Sequence, residues 1–63
     1  MYVEGKIIKD LRMKKGYTQK QLSDILTISD KTISKWETGK SFPKSELLPV
    51  IASIFNCKIE DLY

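Results

Sequence analysis

The sequence has 63 residues, of which 41% are hydrophobic and 30% are charged, and this length and composition predict one soluble domain over residues 1–63. It contains no histidine, a single cysteine and no apolar run near the roughly 20 residues of a membrane span, which argues against an enzyme, a metal or cofactor site and a membrane protein. The net charge is +3, and the N-terminus lacks a secretory pattern, so we expect a cytoplasmic protein.

The first predicted helix runs from about Glu4 to Lys15. Ile7, Ile8 and Leu11 fall at helical spacing and form an apolar stripe, and Gly16 marks the end of the helix. Lysines cover much of the remaining surface, as in helices that lie on membranes. The stripe is short and has no aromatic anchor, however, so packing against a protein core explains it better.

The second predicted helix begins after Tyr17. Thr18 is placed to cap it, Gln21 to complete a capping box, and Tyr17 and Leu22 to form a hydrophobic staple. This combination predicts a well-defined helix start. The helix is expected to bury a face formed by Leu22, Ile25 and Leu26.

A third helix is predicted over about residues 30–37, only about four residues after the second one ends. Ser29 is its N-cap, Ile28 and Ile33 are its staple residues, and Gly39 is its stop signal. Two short helices joined by such a tight turn form a helix-turn-helix unit.

The remainder of the chain predicts a fourth helix from Ser45 or Glu46 to Phe55, with Pro49 in its first turn. Asn56 is expected to cap its end, and Ile59–Leu62 to form one final helical turn. The fold class is therefore all-α. The predicted core consists of Ile8, Leu11, Leu22, Ile25, Leu26, Ile33, Trp36, Leu47, Leu48, Ile51, Ile54 and Leu62, with Cys57 as a small apolar residue near it.

Charge is distributed unevenly along the chain. Residues 1–44 carry ten basic and five acidic side chains, a balance of 10 − 5 = +5, whereas residues 45–63 carry one basic and three acidic side chains, a balance of 1 − 3 = −2. A basic N-terminal part beside a mildly acidic end is consistent with a polyanionic partner on one face.

The third predicted helix has an apolar side and a polar side. At about 100 degrees per residue, Ile33 and Trp36 share the side that faces the core, whereas Lys31 and Lys35 point away from it. Trp36 is therefore interpreted as a core residue and not as a stacking platform for single-stranded nucleic acid.

The outward side chains of this helix have the groups needed to read base edges in a major groove. Lysine ammonium groups match the O6 and N7 acceptors of guanine, and a serine hydroxyl suits several partners. Asp30 could accept from a cytosine amino group, but a carboxylate in the first turn also stabilises the helix dipole and repels phosphate, so both roles stay open. The predicted base-reading residues are Asp30, Lys31, Ser34 and Lys35.

Four segments of distinctive sequence are spread over nearly the whole span of the chain, namely Ile8–Arg12, Gly16–Ser23, Ser29–Lys40 and Phe55–Leu62. In this order and at this spacing they resemble the helix-turn-helix proteins of the phage repressor and Cro type, also called the XRE family. The resemblance implies a compact five-helix domain of the lambda-repressor-like type, whose third helix enters the major groove. It also implies a bacterial or phage-encoded transcriptional regulator that binds double-stranded DNA as a homodimer on a palindromic operator.

The resemblance further implies roles for individual positions. Gln19 matches a glutamine at the start of the second helix that contacts a phosphate. Arg12 and Glu37 match a pair that bridges the first and third helices. The phosphate contacts implied in this way are Thr18, Gln19, Ser29, Thr38, Lys40 and Lys44.

Two positions depart from the family pattern. Ser23 stands where alanine is common, and Lys58 stands where a capping serine or threonine is usual, so the fifth helix is expected to be short or frayed. The main alternative function is a protein-interaction module, such as an antitoxin or an antirepressor partner, with the same fold. An apolar outer face on the third helix would favour that alternative, whereas Lys31 and Lys35 favour DNA.

Overall fold

The computed structural model describes residues 3–63. Over these residues the chain is all-helical and contains no strand, as predicted. Its α-helices are α1 (Gly5–Lys14), α2 (Gln19–Leu26), α3 (Asp30–Glu37) and α4 (Leu48–Ile54), and two short 3-10 helices span Ser45–Leu47 and Ile59–Leu62. The predicted count of five helices is therefore not confirmed, because the last expected helix is a 3-10 helix of 4 residues.

Local hydrogen bonds explain where α2 and α3 begin. Thr18 Oγ1 accepts from the Gln21 backbone N–H at 3.0 Å, and Gln21 Oε1 accepts from the Thr18 N–H at 2.8 Å. Ser29 Oγ accepts from the Lys31 N–H at 3.1 Å in the same manner. These bonds satisfy donors that have no partner within a helix, and they confirm the capping box and both predicted N-caps.

Glycine ends two of the helices as predicted. Gly16 follows α1 with φ 77°, and Gly39 follows α3 with φ 78°, a backbone conformation that is open to glycine at little cost. The left-handed backbone at Gly39 lets the Lys40 N–H donate to the Lys35 carbonyl at 2.9 Å, which satisfies an acceptor at the end of α3.

The predicted fourth helix is divided into two parts. The Leu48 N–H donates to the Ser45 carbonyl, which makes the segment Ser45–Leu47 a 3-10 turn. Pro49 lies at the start of α4 and has no N–H to donate, so it does least damage in this first turn. Phe55 is the C-cap residue of α4, and Asn56, the predicted cap, lies one position beyond it, where its left-handed φ of 54° ends the helix.

A single apolar core joins all the helices. Ile33 and Trp36 are 0% and 3% exposed, which confirms that this side of α3 faces inward. Three predicted core residues, Leu11, Leu47 and Ile54, are only partly buried, and Cys57 also packs against the edge of the core. The buried apolar side chains are Val3, Ile8, Leu22, Leu26, Ile33, Trp36, Leu48, Ile51, Ala52, Phe55 and Leu62.

The prediction that Ile25 is buried is wrong, because its side chain is 48% exposed. The inner face of α2 is formed instead by Leu22, Ser23 and Leu26. Ser23 is small enough to allow close packing, and its hydroxyl donates to the Lys20 carbonyl at 2.7 Å, so its burial leaves no polar group unsatisfied. A face centred between Leu22 and Ser23 turns Ile25 toward solvent.

The two ends of the described chain meet. The Glu4 N–H donates to the Leu62 carbonyl at 2.9 Å, and Val3 and Leu62 are both buried. The next residue, Gly5 at the start of α1, lies against the backbone of Trp36 and Glu37 at the end of α3. None of the described helices has the length and apolar character needed to cross a bilayer.

Candidate nucleic-acid interface

The α2–turn–α3 segment presents most of the predicted contact residues. The turn occupies three residues, from Thr27 to Ser29, and the Ile28 N–H donates back to the Ser23 carbonyl at 3.0 Å. Thr27 adopts a left-handed conformation with φ 59°. This turn and the packing of α2 on α3 position the outer face of α3 relative to the start of α2.

The outer face of α3 is polar and open to solvent. Asp30, Lys31 and Lys35 are exposed, and Ser34 is half-buried between them and the core. Neither lysine belongs to an ion pair among residues 3–63. Two unpaired ammonium groups on one exposed helix face make a surface that attracts an anion and can donate to base acceptors.

The start of α2 supplies a second group of donors. Thr18 is exposed, and its hydroxyl can still donate while its oxygen caps the helix. The backbone N–H groups of Gln19 and Lys20 occupy the first turn, where a helix offers them no carbonyl partner and where its dipole favours an anion.

Gln19 has a neighbour that the sequence alone did not reveal. Its Nε2 donates to Glu37 Oε1 at 2.9 Å, although 18 positions separate the two residues. The contact places the start of α2 beside the end of α3, and therefore near the following residues Thr38 and Lys40. Only a three-dimensional arrangement brings these segments together, so no local signal could have indicated it.

The predicted pair of Arg12 and Glu37 is present. Arg12 Nε donates to Glu37 Oε2 at 2.7 Å and Arg12 Nη2 to Glu37 Oε1 at 3.1 Å, so the guanidinium binds the carboxylate through two nitrogens. Arg12 Nη1 also donates to the Tyr17 carbonyl at 2.8 Å. The side chains of Arg12 and Glu37 are 11% and 3% exposed, so this pair is part of the packed interior and not of the outer surface.

The remaining predicted phosphate contacts lie around the ends of α3. Ser29 is exposed at its start, with its oxygen used as the cap, and Lys40 is exposed after its end. The Thr38 hydroxyl donates to the Ser34 carbonyl at 2.9 Å, so it must rotate before it can donate to a phosphate. Lys44 lies farther along, on a surface groove that Trp36 also lines.

One lysine near this surface is already engaged. Lys20 Nζ donates to Asp24 Oδ1 at 2.8 Å, one turn farther along α2. The hydrogen bond and the charge of Asp24 raise the pKa of Lys20. Both side chains are well exposed, so the pair adds little to stability, and it leaves Lys20 less available than Lys31 or Lys35 for a new anionic partner.

Comparison with known proteins identifies the family. A family model described as helix-turn-helix matches residues 8–62. The chain is 42% identical over 55 residues to the HTH-type transcriptional activator BcrR of Enterococcus faecalis, covering 87% of this chain and 27% of that protein. It is 41% identical over 59 residues to the type II methyltransferase M.MspI of Moraxella sp, covering 94% of this chain and 13% of that enzyme.

A further relative is the antitoxin PezA of Streptococcus pneumoniae, 36% identical over 58 residues, with 92% of this chain and 37% of that protein covered. The chain thus spans well under half of each of these three proteins. Other relatives are mainly named as transcriptional regulators. With a matching family model over nearly its full length and a helix-turn-helix at α2 and α3, the chain belongs to the helix-turn-helix family, of the XRE type that its sequence resembles.

Proposed function

We propose that this protein is a sequence-specific transcriptional regulator that inserts α3 into the major groove of double-stranded DNA. The observation that supports the proposal most directly is the outer face of α3, where Lys31 and Lys35 are exposed and unpaired within the described chain. The exposed face of α3 carries two lysines and one aspartate, and Ile33 and Trp36 anchor the helix in the core behind it, an arrangement that suits a recognition helix.

Two kinds of contact are proposed. Base edges are read from the exposed face of α3, where the Asp30 carboxylate either accepts from a cytosine or only stabilises the helix dipole. Phosphates are held at both margins of that face, so that they fix the position of α3 without reading sequence. The proposed reading residues are Asp30, Lys31, Ser34 and Lys35, and the proposed phosphate contacts are Thr18, Gln19, Ser29, Thr38, Lys40 and Lys44.

We further propose that the protein acts in the cytoplasm of a bacterium, encoded there or by a phage, and binds a palindromic operator as a homodimer. Two copies would place their α3 helices in successive major grooves, about one helical turn apart. The fifth helix of the family would be represented by the 3-10 helix Ile59–Leu62.

A protein-interaction module is the second candidate, and the similarity to an antitoxin favours it. Such a role would be served best by an apolar outer face on α3. The exposed residues there are charged, since Asp30, Lys31 and Lys35 occupy the face and the two large apolar residues of α3 are buried. The DNA-binding function is therefore the one that we prefer.

Selection of bound duplexes from a random pool tests the proposal. We expect enrichment of a short palindromic consensus whose half-sites are separated by about one helical turn. A consensus without symmetry would contradict the dimer, and recovery of no consensus would contradict sequence-specific binding.

Alanine variants then separate reading from positioning contacts. Lys31→Ala and Lys35→Ala should relax the preference at particular base pairs, each by about 1 to 3 kcal/mol. Lys40→Ala and Lys44→Ala should weaken binding to all sequences alike and lower the salt slope by about one unit. Lys58→Ala removes the same charge from the acidic C-terminal segment and serves as the matched control. Equal losses for every sequence in the Lys31 and Lys35 variants would contradict base reading by α3.

A further inference from the structure

The last residue of α3 carries a carboxylate that is shared by side chains from two other helices. Glu37 Oε2 accepts from Arg12 Nε at 2.7 Å, and Glu37 Oε1 accepts from Arg12 Nη2 at 3.1 Å and from Gln19 Nε2 at 2.9 Å. The Glu37 side chain is 3% exposed, so it cannot itself contact a duplex. Any effect of Glu37 on DNA binding must act through the side chains that touch it.

Glu37 restricts the Gln19 side chain in a defined way. An ionised carboxylate only accepts hydrogen bonds, so the Gln19 amide must direct its nitrogen and not its oxygen toward Glu37. One of the two N–H groups on that nitrogen is then used, and the other remains as a donor. Gln19 is half-buried at the first position of α2, so this second N–H is within reach of the surface.

Arg12 makes the arrangement compatible with an anionic ligand. Its guanidinium neutralises the Glu37 carboxylate, which would otherwise repel a phosphate bound nearby. Arg12 also donates to the Tyr17 carbonyl at 2.8 Å, one residue before the Thr18 cap. The same cluster therefore positions both the Gln19 side chain and the backbone at the start of α2.

We infer that Glu37 is a positioning residue for DNA binding, which orients Gln19 through a carboxylate neutralised by Arg12 and so holds the start of α2 in register with the reading face of α3. The inference rests on the proposed function, in particular on a phosphate contact by Gln19. A positioning role predicts that replacing Glu37 weakens DNA binding. Its charge alone predicts tighter binding, because loss of a negative charge from a DNA-binding domain strengthens its attraction to DNA.

A double-mutant cycle on duplex affinity tests this role. Gln19→Ala should weaken binding of the parent protein to its selected consensus duplex about tenfold. In a Glu37→Met background the same change should cost less than about twofold, because methionine has no carboxyl or amide oxygen to accept from Gln19 and no longer holds that side chain in place. Glu37→Met alone should weaken binding several-fold and leave the salt slope nearly unchanged. Equal factors for Gln19→Ala in the two backgrounds, or tighter binding by Glu37→Met, would overturn the inference.

Gln21 provides a matched control for the cycle. It is a glutamine on the same helix, but its amide caps Thr18 and does not touch Glu37. Gln21→Ala should therefore reduce affinity by the same factor in the parent and in the Glu37→Met background. Since Glu37→Met leaves Arg12 without its partner, a second background with Arg12→Met and Glu37→Met removes both charges and keeps the cycle measurable if the first variant does not fold.

An NMR measurement on the free protein examines the same contact without DNA. In the parent, one side-chain amide proton of Gln19 should be shifted downfield by its bond to Glu37, and the shift should disappear in both backgrounds while the Gln21 signals stay unchanged. Gln19 amide signals that do not respond would overturn the inference. A parent protein that binds no duplex would contradict the proposed function, whereas duplex binding with additive effects contradicts only the positioning role.

Discussion

The part of the molecule that contains α1, α2 and α3 is organised differently from the part after residue 44. Both ion pairs found among residues 3–63 lie in the first part, where the buried Arg12–Glu37 pair is also bonded to the half-buried Gln19. The second part contributes apolar side chains such as Ile51 and Phe55 to the core, and its net charge is 1 − 3 = −2. Directional polar contacts hold a surface in a fixed geometry, whereas apolar packing supplies most of the stability behind it. The first part therefore combines apolar packing with a fixed polar geometry, whereas the second part contributes mainly apolar packing.

The largest expected loss of stability is at Trp36, whose side chain joins the two parts through the core. Trp36→Ala should destabilise the protein by about 3 to 5 kcal/mol, which can approach the whole stability of so small a domain. Chemical denaturation followed by circular dichroism measures the change, with Tyr63→Ala as an exposed aromatic control. An unchanged midpoint for Trp36→Ala would show that the two parts do not depend on a common core.

The next effect concerns the buried ion pair within the first part. Arg12→Met alone should cost about 3 kcal/mol, because it leaves the Glu37 carboxylate buried without its counter-charge. Arg12→Met combined with Glu37→Met should cost less than Arg12→Met alone. The free energies of unfolding of the four proteins in this cycle measure the coupling, and additive losses would mean that the pair does not connect α1 to α3.

Gly5 tests how closely α1 approaches α3. A Cβ at this position would overlap the carbonyl oxygen of Trp36 and lie 3.1 Å from the Glu37 Cα. At an open helix position, replacing glycine with alanine raises stability by up to about 1 kcal/mol. Gly5→Ala should instead lower the stability by about 1 to 3 kcal/mol, because the backbone of Trp36 and Glu37 must move to make room for the Cβ. The thermal midpoint of Gly5→Ala should therefore fall, and a rise would contradict the close approach of α1 to α3. Lys6→Ala at the adjacent exposed position is the control.

The smallest effect is expected in the second part, at Cys57. Burial and then the negative charge of Asp61 raise the pKa of the Cys57 thiol, so at any given pH less thiolate is present than in the unfolded chain. Alkylation by iodoacetamide should therefore be slower in the native protein than in urea at the same pH. The raised pKa also means that stability falls as the pH rises above the thiol's ordinary value. Equal alkylation rates in the native and unfolded protein would show that Cys57 is not shielded by the core.

Much of the first part could be predicted from sequence because its signals are local. The caps at Thr18 and Ser29 act within three residues, and the stops at Gly16 and Gly39 need only a left-handed backbone. The inward face of α3 followed from helical angles, since its large apolar residues are few and clearly separated from its lysines.

Contacts between distant residues were harder to predict. Periodicity placed Ile25 in the core because it counts apolar residues, whereas close packing of α2 selected the smaller Ser23. The Val3 side chain and the bond from Glu4 to Leu62 depend on the two ends of the fold meeting. The Gln19–Glu37 hydrogen bond likewise arises only after α2 packs on α3, so its effect on the candidate site was not visible in either segment.

The left-handed threonine in the turn has a consequence for engineering. Thr27 is β-branched, and φ 59° is a conformation that costs such a residue about 1 to 2 kcal/mol relative to its preferred backbone angles. Asparagine tolerates this conformation better than threonine. Unlike glycine, it would not add conformational entropy to the unfolded chain. Thr27→Asn is therefore a way to stabilise the protein at a position away from the outer face of α3. Combined with substitutions at Lys31 or Lys35, it would offset part of the stability that new side chains on that face remove.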